Sequence, residues 1–333
     1  MLALQGQDPA SMLWSIGLRA ADASGVGGEG VVRAAFDRGE LVRSWTMRGT
    51  LHATTPADLV LLLSVTAERQ RRAVLTRQRS LGVSAADIAA SEVVARAVLA
   101  DGAQATRAEL YAAWQTAGQA TSDQRGYHLI YALALEQVLC LGPFRGTEQC
   151  FVLADDWLPD SPSPDAEDAA MEIARRYFSS HGPATERDLA NWLKIPLTTA
   201  RAAMAALGDE LQATDGPTGV LWATPERWES TVNGSGRILL LPGFDEMLLG
   251  YADRSASLPS EFADRIVPGG NGIFLATILR DGRVVGTWRR RTASGVTAVT
   301  PDPFLPLSPS DDAGVVREAK RYARFLGTAV PVG

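Results

Sequence analysis

Two side-chain amides, Gln5 and Gln7, flank Gly6 and are followed at once by Asp8-Pro9. In an extended segment residues two apart project to one side, so both amides are expected to point into a shared pocket. A carboxamide is no general base at neutral pH. It donates and accepts at once, so it can hold a water and stabilise developing charge. That chemistry suits a reaction whose leaving group already departs easily. Asp8 as N-cap and Pro9 at the first helical position open a helix behind the pair, and helix starts favour negative charge. Against this stands chance: a Gln-x-Gln triplet is common, and N-terminal glutamines are usually solvated.

A second polar set lies in residues 41–54, LVRSWTMRGTLHAT, which reads as two strands joined at Arg48-Gly49. Gly49 supplies the backbone freedom of a tight reversal, and the flanking Val, Trp, Thr and Leu suit extended chain. It carries Arg43, Trp45, Arg48, Thr50 and His52. An arginine and a histidine beside an aromatic can bind phosphate and pack on a base or sugar. The structural alternative makes Trp45 core and His52 a hydrogen-bonded edge residue. A third set, Asp245, Tyr251, Asp253 and Arg254, falls in PGFDEMLLGYADR. Asp245 and Arg254 could pair with each other, or Arg254 could meet phosphate. Arg289, Arg290 and Arg291 sit on a hairpin arm and read as a solvated or phosphate-facing edge.

Repetition supplies the scaffold for these residues. The 41–54 hairpin has counterparts at 139–153, which repeats Arg-Gly-Thr at Arg145-Gly146-Thr147, and at 211–224, with a Gly-Pro turn. GAQATRAEL (102–110) and GPATERDLA (182–190) match in type and place ahead of the second and third hairpins. Helices followed by a two-stranded flap, in three copies, describe tandem winged-helix units. The expected fold is therefore α+β. Residues 1–80 form the first unit, carrying the Gln pair, 81–160 the second, 161–232 the third, and 233–333 a β-rich module with a closing helix. A complete first unit would need another helix before Leu2, so that unit is expected to be N-terminally short or the assigned start to be wrong. In such units the third helix enters the major groove.

Within this frame helices are expected from Asp8 to about Ala20, burying Met12, Leu13, Ile16 and Leu18, and from Ala57 to about Arg72. Ser122 is expected to cap a helix over 123–138, and Thr106 and Thr185 to cap two others. Asp281-Gly282 marks a hairpin.

Composition excludes more than it specifies. The chain has 333 residues and a net charge of −6, which argues against a general polyanion binder. Charge is unevenly spread: seven arginines face two acids in 41–79, and five face one in 280–291, so a local basic face remains open. No run of eighteen apolar residues and no basic, apolar leader is present, so neither a membrane span nor secretion is expected. Cys140 and Cys150, the only cysteines, are expected as reduced thiols; with three histidines and no CxxC, no zinc site is expected.

Four blocks, LALQGQDP, LVRSWTMRGTLHAT, LLPGFDEMLLGYADRS and DGRVVGTWRR, resemble the AlkZ-like winged-helix DNA glycosylases, in order and across nearly the whole chain. The resemblance implies three tandem winged-helix units curved around duplex DNA and excision of N7-alkylated guanine, with unhooking of interstrand crosslinks. It places the catalytic signature, Gln-aliphatic-Gln or Asp, on Gln5 and Gln7, with Gly6 in place of the aliphatic residue. The resulting expectation is a monofunctional glycosylase that needs no metal or cofactor and binds double-stranded DNA. It would be a monomer in the cytoplasm, associated with the nucleoid. Arg43, Trp45, Arg48, Thr50, His52, Asp245, Tyr251, Arg254, Arg289 and Arg290 would be the DNA-contacting set. The competing expectation is a non-catalytic winged-helix DNA-binding or regulatory protein, with strongly salt-dependent binding and no base release. A protein-interaction scaffold is a third.

Overall fold

The computed structural model describes residues 1–20, 27–158, 164–217, 219–230, 236–293 and 296–328. Gly25, in a stretch where the sequence reads as a Gly-rich loop, and residues 159–163, in the Pro-, Ser- and Asp-rich stretch 158–168 that reads as a linker, lie outside the described residues. The chain mixes helix and strand throughout.

Strand β1 (Ala3–Gln5) leads into helix α1 (Pro9–Arg19). Asp8 caps α1 by accepting from Ser11 N at 2.9 Å, with Pro9 in the first turn as expected. Helix α2 (Glu29–Asp37) precedes the first hairpin, β2 (Val42–Met47) and β3 (Thr50–Thr54). Its turn has Arg48 at φ 57° and Gly49 at φ 69°. Both central residues are thus left-handed, the two-residue turn that matches strand twist. Helix α3 (Pro56–Ser80), capped by Thr55, runs well past the expected end near Arg72. Its Arg-rich half stays helical because charges pair along one face, as in Arg72 Nε to Glu68 at 2.6 Å.

Helices α4 (Ala85–Val98) and α5 (Arg107–Thr116) both begin in capping boxes, Ser84 with Asp87 and Thr106 with Glu109. Helix α6 (Arg125–Leu135) starts later than expected and Ser122 does not cap it with its side chain. Asp123 and Gln124 take φ 54° and 72°, so the chain makes a left-handed turn first. Gln137, at φ 57°, then ends the helical stretch before Val138. The second hairpin is β4 (Leu139–Arg145) with β5 (Glu148–Leu153).

Helices α7 (Ala166–His181), α8 (Glu186–Leu193) and α9 (Leu197–Leu207) precede the hairpin β6 (Gln212–Gly216) and β7 (Gly219–Ala223), then the short α10 (Pro225–Glu229). Thr185 accepts from Asp188 N at 3.1 Å while Asp188 accepts from Thr185 N at 2.8 Å. This is the counterpart of the Thr106 box. A second correspondence goes beyond sequence: Ala105 bridges to Phe151 of β5, and Ala184 bridges to Trp222 of β7. In each case the residue before the cap pairs with the second strand of the following hairpin.

The remainder holds β8 (Ile238–Leu241), the short helices α11 (Glu246–Leu249) and α12 (Ala263–Ile266), strands β9 (Thr277–Arg280), β10 (Arg283–Ala293) and β11 (Val296–Pro303), and α13 (Pro309–Leu326). Strands pair in the order β11-β10-β9-β8. β11 is not legible as a strand because it contains Pro301 and Pro303. An edge position tolerates both.

The chain divides into two compact bodies. The first comprises Met1–Ala3, Arg33–Ser180 and Leu193–Leu211, and the second Leu4–Val32, His181–Trp192 and Gln212–Gly333. The first contains a five-stranded sheet ordered β1-β3-β2-β4-β5, entered through Ala3 of β1. Its first two hairpins are joined there by Arg43 opposite Leu141, a pairing the sequence gives no sign of. The core around that sheet gathers Trp45, Leu59, Leu63, Trp114, Tyr131 and Phe151. Cys140 and Cys150 are buried free thiols in this sheet, and burial pushes the Cys140 thiol up to about 12.

In the second body α1 is held on two sides. Trp14 lies edge-on to Tyr322 of α13 at 5.0 Å and beside Phe325 at 5.1 Å, while its Nε1 donates to Leu240 O at 2.9 Å. This clamp explains the burial pattern. Met12, Leu13, Trp14, Ser15 and Gly17 are buried, whereas Ile16 and Leu18, expected in the core, are only half-buried. Small residues face the close partner: a Cβ on Gly17 would meet Phe325 Cε2 at 2.5 Å. Gly17→Ala should therefore destabilise the protein by about 1–3 kcal/mol through overpacking. A urea denaturation midpoint unchanged from wild type would contradict this packing.

Candidate active site and nucleic-acid contacts

β1 stops at Gln5, which is half-buried, and Gly6 is buried. Gln7 is exposed, in the bend that delivers the chain to the Asp8 cap. Strand alternation therefore does not by itself align the two amides. Their placement depends instead on where the cap and α1 are held.

Several groups of the second body do that holding. Arg19, at the end of α1, forms a two-pronged ion pair with Asp245, Nη2 to Oδ1 at 2.7 Å and Nη1 to Oδ2 at 2.9 Å. Ser15 Oγ donates to the same Oδ2 at 2.9 Å, and Met247 N donates to Oδ1 at 2.9 Å. Asp245 is only 3 % exposed, so four donors satisfy a buried carboxylate. Burial alone would lower the Arg19 guanidinium, but the charge and hydrogen bonds of Asp245 outweigh it and leave it raised. The pairing considered from sequence, Asp245 with Arg254, is not made. Arg254 donates from Nε to Leu248 O at 2.6 Å and lies over the Phe274 ring at 5.0 Å.

Near the start of α1 a small cleft of about 70 Å³ is lined by Ala10, Ser11, Trp14, Pro242, Arg290 and Tyr322. Arg290 donates to the Tyr322 hydroxyl at 3.3 Å. Partial burial would lower its guanidinium; Tyr322, then Asp8 and Glu29, act the other way and leave it raised. Arg289, Arg290 and Arg291 are all exposed on β10, and Arg290 shares the cleft with Trp288. Elsewhere in this body a cleft of about 460 Å³ is lined by His181, Pro183, Arg227, Met247, Tyr251 and Arg254. Burial pushes the Tyr251 phenol up to about 12, so it stays protonated and donates to His181 O at 2.8 Å.

The hairpin set belongs to the first body. Trp45 is 1 % exposed and packs edge-on against Tyr127 and Tyr131, at 5.8 and 5.7 Å. Arg43, also buried, donates to Gln149 Oε1 at 3.1 Å. Both are interior side chains. Arg48 and Thr50, by contrast, are half-buried at the turn. Arg48 Nη2 lies 2.9 Å from Nε2 of the buried His52, whose Nδ1 lies 3.0 Å from Thr50 O. Because a guanidinium can only donate, Nε2 must accept and Nδ1 must carry the proton. His52 is thus a neutral ring that orients Arg48.

Sequence reasoning passed over Gln70. Its Oε1 accepts from Gly49 N at 3.2 Å and Tyr131 OH at 3.3 Å, and its Nε2 donates to Thr46 O at 3.0 Å. A buried amide in the Arg-rich half of α3 thereby fixes the turn that carries Arg48. A helical glutamine gives no local signal for this role.

Comparison with known proteins places the chain in a class of enzyme, the DNA glycosylases. The profile of the family described as DNA glycosylase AlkZ-like matches residues 1–325. The chain belongs to that family. It is similar to the interstrand DNA cross-link repair glycosylase of Streptomyces sahachiroi, at 28 % identity over 305 residues, covering 87 % of this chain and 80 % of the relative. The solved structure of Streptomyces sahachiroi DNA glycosylase AlkZ superposes with a TM-score of 0.79 at 26 % identity, covering 99 % of this chain and 91 % of that one. The expected family and enzymatic class are therefore correct.

Nitrogen-detected NMR of the histidine rings tests the hairpin assignment. At neutral pH His52 should show a protonated Nδ1 and an unprotonated Nε2. The opposite tautomer would contradict the Arg48 contact.

Proposed function

We propose that this enzyme is a monofunctional glycosylase releasing N7-alkylated purines from duplex DNA, and that it unhooks interstrand crosslinks. What carries this reading is a Gln-Gly-Gln segment opening a clamped helix, in a chain whose family match spans residues 1–325. The name of the Streptomyces sahachiroi relative supports the crosslink part.

The chemistry follows from the substrate. N7 alkylation places positive charge on the base, so it leaves readily and the sugar becomes oxocarbenium-like. Gln5 and Gln7 stabilise that cation through their carbonyl oxygens and position the attacking water. No general base is required to start the departure. Arg48, Thr50, Tyr251, Arg254, Arg289 and Arg290 contact the DNA, Arg48 and Arg254 through phosphate. Arg43, Trp45 and His52, being buried, support those contacts from behind.

The scaffold is read as three tandem winged-helix units followed by the β8–β11 sheet and α13. The matched capping boxes at Thr106 and Thr185, and the matched bridges from Ala105 and Ala184, support the second and third units as repeats. Their third helices, α6 and α9, grip the duplex. The enzyme acts as a monomer in the cytoplasm.

Incubation with a duplex carrying N7-methylguanine tests this directly. Wild type should release the base, and a Gln5→Ala, Gln7→Ala double variant should lose about 10²-fold or more of the rate while still binding DNA. Unchanged release in that variant would remove the glutamines from the mechanism. Binding without release by wild type would favour the non-catalytic reading. Arg48→Ala should lower the salt dependence of binding by about one phosphate contact.

A further inference from the structure

We propose that Asp245, through its ion pair with Arg19, is a positioning residue for the Gln5–Gln7 segment and not a DNA contact. The inference rests on the glutamines being the reacting groups, and it concerns how the fold sets their position.

Its basis is a line of contacts along one side of α1. Residues 240–245 run beside the helix and hold it at both ends of that stretch. Leu240 O accepts from Trp14 Nε1 at 2.9 Å, and Asp245 takes Ser15 and Arg19. On its other side α1 meets Tyr322 and Phe325 of α13. The segment itself is tied to the chain at Phe274. Gly243 sits where a Cβ would meet Phe274 O at 2.8 Å, and Phe244 N donates to Phe274 O at 3.2 Å.

Apolar packing alone lets a helix rotate or slide by a fraction of a turn, because dispersion contacts are numerous but undirected. A two-pronged guanidinium–carboxylate pair does not, since both N–H···O bonds must stay in one plane. Asp245 also caps α11 through Met247 N, so one carboxylate fixes α1 to the segment that ends in α11. The far end of α1 is the Asp8 cap, one residue from Gln7. An error in the register of α1 therefore reaches the amides directly. Displacement of reacting groups by about 1 Å can cost ~10²-fold in rate even when the substitution is remote.

Two variants and two readouts test this. Asp245→Asn keeps the shape and an N-cap but loses the charge, and Arg19→Lys keeps the charge but loses the fork. In both, hydrogen–deuterium exchange of peptides covering residues 2–14 should rise ~10-fold, while peptides from β9 and β10 stay as in wild type. Single-turnover base release at saturating DNA should fall ~10–100-fold, with the Kd for undamaged duplex changed less than ~2-fold. If Asp245→Asn does not fold, Arg19→Lys carries both readouts. Unchanged exchange over residues 2–14 would overturn the pinning. Raised exchange with an unchanged rate would overturn its role in catalysis. A weakened Kd with an unchanged saturated rate would make Asp245 a binding residue after all. Absence of base release by wild type would sink the proposed reaction instead, and the exchange readout would still decide the pin.

Discussion

The indole of Trp14 is the point around which the second body is built. It is buried at 1 % exposure, so its N–H must find an acceptor, and it finds the carbonyl of Leu240, 226 residues away in sequence. That bond sets the helix against β8, and the ring's edge contacts with Tyr322 and Phe325 set it against α13. Together with the Arg19–Asp245 pair, these contacts hold α1, and with it the Asp8 cap and the bend at Gln7 beside it.

The first body solves a similar problem with different groups. Strand β2 is buried along its whole length, so its hairpin could not be held by solvent-facing pairs. Helix α3 supplies the polar partners from within: Thr66 and Gln70 both donate to Thr46 O, and Gln70 accepts from the turn at Gly49. A rigid turn then presents Arg48, itself oriented by a neutral His52. The buried amide of Gln70 and the ring of His52 thus act from behind the turn, one on its backbone and one on the Arg48 side chain.

Much of this was legible from local chemistry, and what was missed was non-local. Asp8-Pro9, Thr106 and Thr185 announced their helices because capping is decided within four residues. The turns at Arg48-Gly49 and Asp281-Gly282 were equally local. The partner of Asp245 was not: sequence proximity suggested Arg254, and the fold chose Arg19 at the other end of the chain. The same limit hid the pairing of β2 with β4 and the role of Gln70. Strand β11 was missed for another reason, since an edge position overrides the usual penalty on proline. The ionisable and aromatic residues with chemical potential divide by burial: Trp45, Arg43 and Asp245 are interior, while Arg48 and Arg254 are half-buried and the β10 arginines exposed.

The proposed reaction sets Gln5 and Gln7 against a sugar that carries positive charge. The most direct measurement is the relative affinity for two duplexes, one with a cationic pyrrolidine in place of the target deoxyribose and one with a neutral tetrahydrofuran. Wild type should prefer the cationic duplex by about 10²-fold or more, as for other transition-state mimics, and replacing both glutamines by alanine should abolish the preference. Equal affinity of wild type for the two duplexes, or a preference that survives loss of both amides, would contradict it.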